Sequence, residues 1–282
     1  MVEERSLSSC DAAGRVRACW PNEQAPLTVR QRTDPTCGID AGLGTQKLGD
    51  GPDFARHRFS EPRPREPGMD TLPIVAVASS AGDLEAVCEL LAALPGECGA
   101  AFVIVQTVDS GRERLLARTL AERTILPVVP ARDAMLAEPE HVYVITANTT
   151  VTITHGRIRV APKASGLHHP GDILFTSLAE DHGDGAIGVV LSGAGCDGAL
   201  GARAIQQACG TTFAQYPGSA RFPSMPISAI ETGCVDFVLR PNEIARELTR
   251  LTASMLGSSI AKLADGAAYA SVSIPAVSSG QR

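Results

Sequence analysis

Apolar residues recur along this chain in two alternating rhythms from Pro73 onward. Ile74–Ala78 is a short continuous apolar run, the pattern of a strand buried on both faces. Leu84, Val87, Cys88, Leu91 and Leu94 then follow at the spacing of one helix face. Phe102–Val105 predicts a second strand, followed by a helix over 113–122 and a short strand near Pro127–Val129. Val142–Ile145, Val151–Thr154 and Ile158–Val160 read as an antiparallel excursion, with His155-Gly156 as a hairpin turn. Strand Ile187–Leu191, helix Ala199–Cys209, strands Thr211–Ala214 and Val235–Leu239 and a helix from Asn242 complete the series. Strands alternating with helices predict an α/β fold: a doubly wound, mostly parallel sheet with helices on both faces. Ligands are then expected outside the carboxyl ends of the strands.

The flanks lack this rhythm. Residues 1–72 mix Pro, Gly, Arg and Asp with no sustained period and read as disordered, or as an extension ahead of a start at Met69. Residues 256–282, rich in Ser, Ala and Gly, read as a flexible tail, which leaves 73–255 as the folded domain.

Composition narrows the class. Hydrophobic residues make up 44% of the chain but aromatics only 4%, so the core is expected to be aliphatic. A net charge of −6 gives no nucleic-acid footprint. The 8 cysteines have no Cys-x-x-Cys spacing and no zinc-finger partner histidines, so no metal or cofactor is expected. No apolar run approaches the roughly 18 residues of a membrane span. With no signal-peptide pattern, the expected location is the cytoplasm, without membrane insertion.

Chemistry concentrates at strand ends. Ser79 and Ser80 lie where the first strand turns into a helix, whose N-terminal N–H groups and dipole favour developing negative charge. Both could equally be caps, since Ser80 with Asp83 resembles a capping box. Gly193-Ala-Gly-Cys-Asp-Gly198 matches a dinucleotide fingerprint in the right context. Asp197 would however meet the pyrophosphate, and no acidic residue follows until Glu231. Asp197 could also cap the helix that starts at Ala199.

Taken together, Ser79-Ser-Ala-Gly-Asp-Leu-Glu-Ala, Phe102-Val-Ile-Val-Gln106, Leu191-Ser-Gly-Ala-Gly-Cys-Asp197-Gly, Ala214-Gln215, Ser224-Met-Pro226 and Ala229-Ile-Glu-Thr-Gly-Cys-Val-Asp236 resemble the CheB-type protein-glutamate methylesterase domain of bacterial chemotaxis. The resemblance is greatest to the form fused with methyltransferase domains. It implies hydrolysis of glutamate methyl esters on a methylated chemoreceptor or related signalling protein, by a serine, a histidine and an aspartate. Carried over, the serine is expected at Ser79 and the aspartate at Asp197, with the N–H groups of Ser80 and Ala194 holding the oxyanion. Met225-Pro226 would line the cleft.

The histidine position, after Val105-Gln106, holds Thr107. A serine hydroxyl needs a base that titrates near neutrality, and threonine offers none. Loss of one member of such a triad costs about three to six powers of ten in turnover. An impaired esterase is therefore expected; the alternative is a catalytically inactive binding protein that keeps the receptor-binding cleft. Among the 6 histidines, His168 and His169 precede Pro170-Gly-Asp172, a segment placed near the cleft by the resemblance. A solvated loop is the plain reading for both, and His169 is the candidate substitute base. Asp197 is expected to face Thr107, which would leave His169 without an aspartate.

Overall fold

The computed structural model describes residues 27–28, 72–80, 84–107, 113–145, 149–163 and 169–269. In chain order the elements are β1 (Leu27–Thr28), β2 (Ile74–Ser80), α1 (Leu84–Ala92), β3 (Ala101–Thr107), α2 (Glu113–Ala121), β4 (Val128–Pro130), β5 (Met135–Leu136) and β6 (Val142–Val144). They continue with β7 (Thr149–Thr154), β8 (Arg157–Pro162), α3 (Pro170–His182), β9 (Ala186–Val190), α4 (Ala199–Gln207), β10 (Thr211–Gln215), α5 (Ser224–Glu231), β11 (Phe237–Leu239) and α6 (Pro241–Tyr269).

The main sheet has the order β1-β11-β10-β9-β2-β3-β6-β4. Every pairing in it is parallel except that of the two-residue edge strand β1 with β11. Strands β5, β8 and β7 form a small antiparallel sheet. This is the doubly wound architecture that the alternating pattern predicts. From β2 the chain moves outward to β3 on one side and later returns to β9 on the other. That reversal opens a crevice at the carboxyl end of β2, where folds of this kind bind ligands.

Strand β2 is central, and residues Ile74–Ser79 are all buried. Its side chains alternate between two cores, as a period of two requires. Ile74, Ala76 and Ala78 pack with Leu174 and Phe175 of α3, Ile205 of α4 and Met225 of α5. Val75 and Val77 pack on the other face with Val87 and Leu91 of α1, Leu120 of α2 and Ile244 of α6.

Three features depart from the sequence-based expectation. Helix α3 occupies a stretch for which no element is expected, although Pro170 at its first turn, Asp172 behind it and Leu174, Phe175, Leu178 and Ala179 on one face are ordinary helix signals. Helix α6 runs on to Tyr269, into the stretch read as a flexible tail. Leu27–Thr28 forms a strand inside the stretch read as disordered; the rest of 1–71 and 270–282 lies outside the described residues.

The far end of α3 is clamped. His182 is buried (1% exposed); its Nδ1 is 3.2 Å from Asp181 Oδ2 and its Nε2 is 3.2 Å from the Leu72 carbonyl oxygen, just ahead of β2. It thus belongs to the interior. The Asp181 carboxylate also accepts N–H bonds from His155 (2.5 Å) and Gly156 (2.8 Å), which fixes the β7–β8 turn against α3. Burial opposes ionisation of this carboxyl, but the bonds from His182, Gly156 and His155 outweigh it and hold the pKa down at about 2. A depressed pKa adds stability above the unfolded value that disappears as pH falls towards about 2. Asp181→Asn should therefore lower stability at pH 7 by roughly 1–2 kcal/mol and blunt the loss of stability below pH 4. Urea titrations of both proteins between pH 7 and pH 2.5 check this; equal curves would remove the clamp from the account.

Candidate active site

Three loops meet at the carboxyl edge of the sheet: the end of β2, the segment 191–198 after β9, and the entry to α3. The segment after β9 is tied down by backbone bonds. Gly193 N donates to Phe222 O (2.9 Å), Met225 N donates to Gly193 O (3.0 Å), and Ser192 N donates to Gln215 Oε1 (2.8 Å). Gln215 in turn donates from Nε2 to Ser219 O (3.1 Å). The Gln215 and Met225 motifs therefore serve to set this loop. Gly193 is required by contact: a Cβ there would lie 2.1 Å from Met225 Sδ and 3.0 Å from Ser80 N and Cβ.

Ser79 and Ser80 are not equivalent. In register, Ser79 stands beside Gln106 and Ser80 beside Thr107, the last residue of β3. Alternation places Ser79 with Val75 and Val77, on the α1 face. Ser79 is 2% exposed, and its hydroxyl has no hydrogen-bond partner among the described residues. Ser80 shares the opposite face with Ala76 and Ala78. Its Oγ accepts a hydrogen bond from Ala194 N at 3.0 Å. The Ser80 N–H expected at the oxyanion position instead donates to Ser192 O (3.3 Å), continuing the β2–β9 backbone pairing. The Thr107 side chain, Asp83 and His168 lie outside the described residues.

Asp197 lies on the Ser80 face. A Cβ on Gly171 would touch both the Ala78 Cβ (2.8 Å) and Asp197 Oδ1 (3.0 Å). The carboxylate caps α3 and not the helix that follows it: Gly171 N donates to Oδ2 (3.0 Å) and Asp172 N to Oδ1 (2.9 Å). Asp172 returns the arrangement, its Oδ1 accepting Gly201 N (2.8 Å) in the first turn of α4. Each helix is thus capped by a carboxylate from the other helix's N-terminal region. His169, one residue ahead of α3, has Nδ1 4.0 Å from Asp197 Oδ1 and a side chain 22% exposed. His169 thus stands at ion-pair range of Asp197, the residue expected to face Thr107. Sequence reasoning missed this geometry because the loop containing Asp197 directly precedes α4, and helix α3 had not been recognised.

Ligand atoms of His169, Asp172 and Asp197 lie within 4.8 Å of one another, a separation that a divalent ion could bridge. The Asp197 oxygens and Asp172 Oδ1 are already bonded to helix N–H groups. Two positive helix ends converge on the set, a field that favours carboxylates and opposes a cation. Capping is the chemistry that these donors fit. Burial, aided by the neighbouring Asp197 charge, raises the Asp172 pKa to about 6 despite the N–H bonds from Gly201 and Gly198 and the nearby His169. A raised pKa means that this group supports the fold fully below the unfolded value near 4 and loses that support as pH rises through about 6. Asp172→Asn keeps an acceptor for Gly201 and cannot ionise. Its stability relative to wild type should improve by roughly 1–3 kcal/mol between pH 4.5 and pH 7.5. Urea midpoints at the two pH values measure this, and a pH-independent difference would refute it.

The comparisons with known proteins agree with this architecture. The chain is 36% identical over 179 residues to protein-glutamate methylesterase/protein-glutamine glutaminase 3 of Anaeromyxobacter dehalogenans (strain 2CP-C), covering 62% of this chain and 52% of that protein. It is 34% identical over 194 residues to the protein-glutamate methylesterase/protein-glutamine glutaminase of Moorella thermoacetica, covering 66% and 45%. It spans about half the length of these curated relatives. Among solved structures, the Thermotoga maritima CheB methylesterase catalytic domain aligns with a TM-score of 0.60 and 28% identity, over 64% of this chain and 99% of that one. Residues 75–248 match the family model of the CheB methylesterase, and the chain belongs to that family.

Proposed function

We propose that this crevice binds glutamate γ-methyl esters on a methylated chemoreceptor or related signalling protein, within a functional unit of residues 73–255. Its ester hydrolysis is attenuated because Thr107 replaces the family's histidine. The observation that carries the reading is the grouping of Ser80 Oγ, the Ala194 N–H and the Asp197 carboxylate on one face of β2, at the end of the sheet where Thr107 closes β3.

In this reading the nucleophile is Ser80, one residue after the Ser79 that the resemblance implies. A nucleophile must reach substrate, and Ser79 is enclosed on the face opposite Asp197. Ser80 is only partly buried and already faces the Ala194 N–H. As Ser80 Oγ adds to an ester carbonyl, that N–H is close enough to donate to the forming oxyanion. Methanol is then lost and the acyl-serine is hydrolysed, and both steps require a group that accepts and returns a proton. Thr107 cannot do this.

The absent base also supports a second reading, a protein that holds methylated glutamates without turning them over. Methanol release from a synthetic peptide carrying a glutamate γ-methyl ester separates the possibilities. Thr107→His should raise release at least tenfold over wild type. In that background Ser80→Ala should abolish the gain, whereas Ser79→Ala should retain most of it. Loss of the gain with Ser79→Ala alone would return the nucleophile to Ser79. Peptide binding measured by anisotropy, with no release from any variant, would establish the second reading.

A further inference from the structure

We propose that His169, oriented by Asp197, is the proton acceptor for Ser80 in this chain. The inference rests on the ester-hydrolase reading of the same site and supplies the base that Thr107 lacks.

The other histidines with described positions are excluded by place. His141 sits at the opposite edge of the sheet, where its carbonyl bonds Phe102 N at the start of β3; its Nδ1 lies 2.8 Å from Pro139 O. His155 is in the β7–β8 turn, held by Asp181. His182 is enclosed at the C-terminal end of α3 and points to Leu72, ahead of β2. Only His169, among the described histidines, stands at the carboxyl edge with Asp197.

Asp197 is already fixed by two N–H bonds from α3, so its carboxylate cannot swing away from this edge. Its Oδ1 lies 4.0 Å from His169 Nδ1. Closing about 1 Å makes a hydrogen bond. A bonded Nδ1–H leaves the lone pair on Nε2, the tautomer needed for a base. Asp197 Oδ1 and the Ala78 Cβ both border the space beside Gly171, 3.0 and 2.8 Å from where a Cβ there would lie, and Ala78 shares its face of β2 with Ser80.

The proton then follows a closed path. The Ser80 Oγ–H proton passes to His169 Nε2 as Oγ bonds to the ester carbon, and the Ala194 N–H receives the charge on the carbonyl oxygen. The bond from carbon to the methoxy oxygen breaks, and methanol leaves with the proton from Nε2. Water next gives a proton to Nε2 while its oxygen bonds to the acyl carbon. The bond to Ser80 Oγ breaks, the proton returns to Oγ, and glutamate is released.

The test uses the full chain and the same methyl-ester peptide, with methanol release and peptide binding measured in parallel. Wild type should release methanol above the Ser80→Ala background. His169→Gln should fall at least tenfold, to that background, with peptide binding and thermal midpoint unchanged. Adding Thr107→His to His169→Gln should restore release, which a merely structural role for His169 does not predict. Ser80-dependent release that survives His169→Gln overturns the inference and leaves the hydrolase reading intact. Peptide binding without Ser80-dependent release by wild type also overturns it and leaves the binding reading. Neither binding nor release overturns both. Release lost with EDTA and recovered with zinc would assign His169, Asp172 and Asp197 to a metal and overturn the inference.

Discussion

The site depends on an exchange of helix caps. Asp197, which precedes α4, accepts the first N–H groups of α3, and Asp172, inside the first turn of α3, accepts the Gly201 N–H of α4. Helix N-termini carry unsatisfied donors and partial positive charge, so two carboxylates serve them well. Crossing the caps does more than each helix could do with its own cap. It locks the two N-termini together over Ala78 and fixes the distance between the β9 loop and the entry to α3. The same carboxylate that would orient an imidazole is thus part of the frame, so its position is set by folding and not by substrate. Asp172 shows the cost of this frame, since burial beside a second carboxylate makes its ionisation less favourable.

Much of the fold was legible because parallel sheets write themselves in apolar runs. Ile74–Ala78 and Ile187–Leu191 stand out as unbroken apolar runs, and β2 and β9 lie side by side in the sheet centre. The hairpin at His155-Gly156 was equally plain, because a two-residue turn between alternating strands has few other interpretations. Helix α3 was missed for a physical reason. Pro170-Gly171 at its head is a turn signal, and it masks the one-sided run of Leu174, Phe175, Leu178 and Ala179 behind it. Without α3, the plain reading of His169 is a solvated loop and the cap reading of Asp197 points to its own helix, whereas its carboxylate accepts the first N–H groups of α3.

The serines illustrate a different limit. Motif matching identifies the turn, but composition cannot discriminate between adjacent identical side chains. Register can. Pairing of Ser80 with Thr107, together with the bond from the Ala194 N–H, sets the Ser80 hydroxyl against the loop after β9. Membership of the family follows from the whole span 75–248 and is indifferent to this one-residue question.

The placement of Ser79 and Ser80 on opposite faces of β2 means that two neighbouring hydroxyls provide no redundancy. A strand assigns sides by parity, so neither serine can replace the other by a change of rotamer; the backbone itself would have to slip by one position. Such a slip would also turn Val75 and Val77 towards α3 and Ala76 and Ala78 towards α1, undoing both cores at once. The sheet therefore guards which of the two hydroxyls meets the β9 loop more strictly than the sequence does, and the stability of the interior becomes the source of selectivity between two otherwise identical groups.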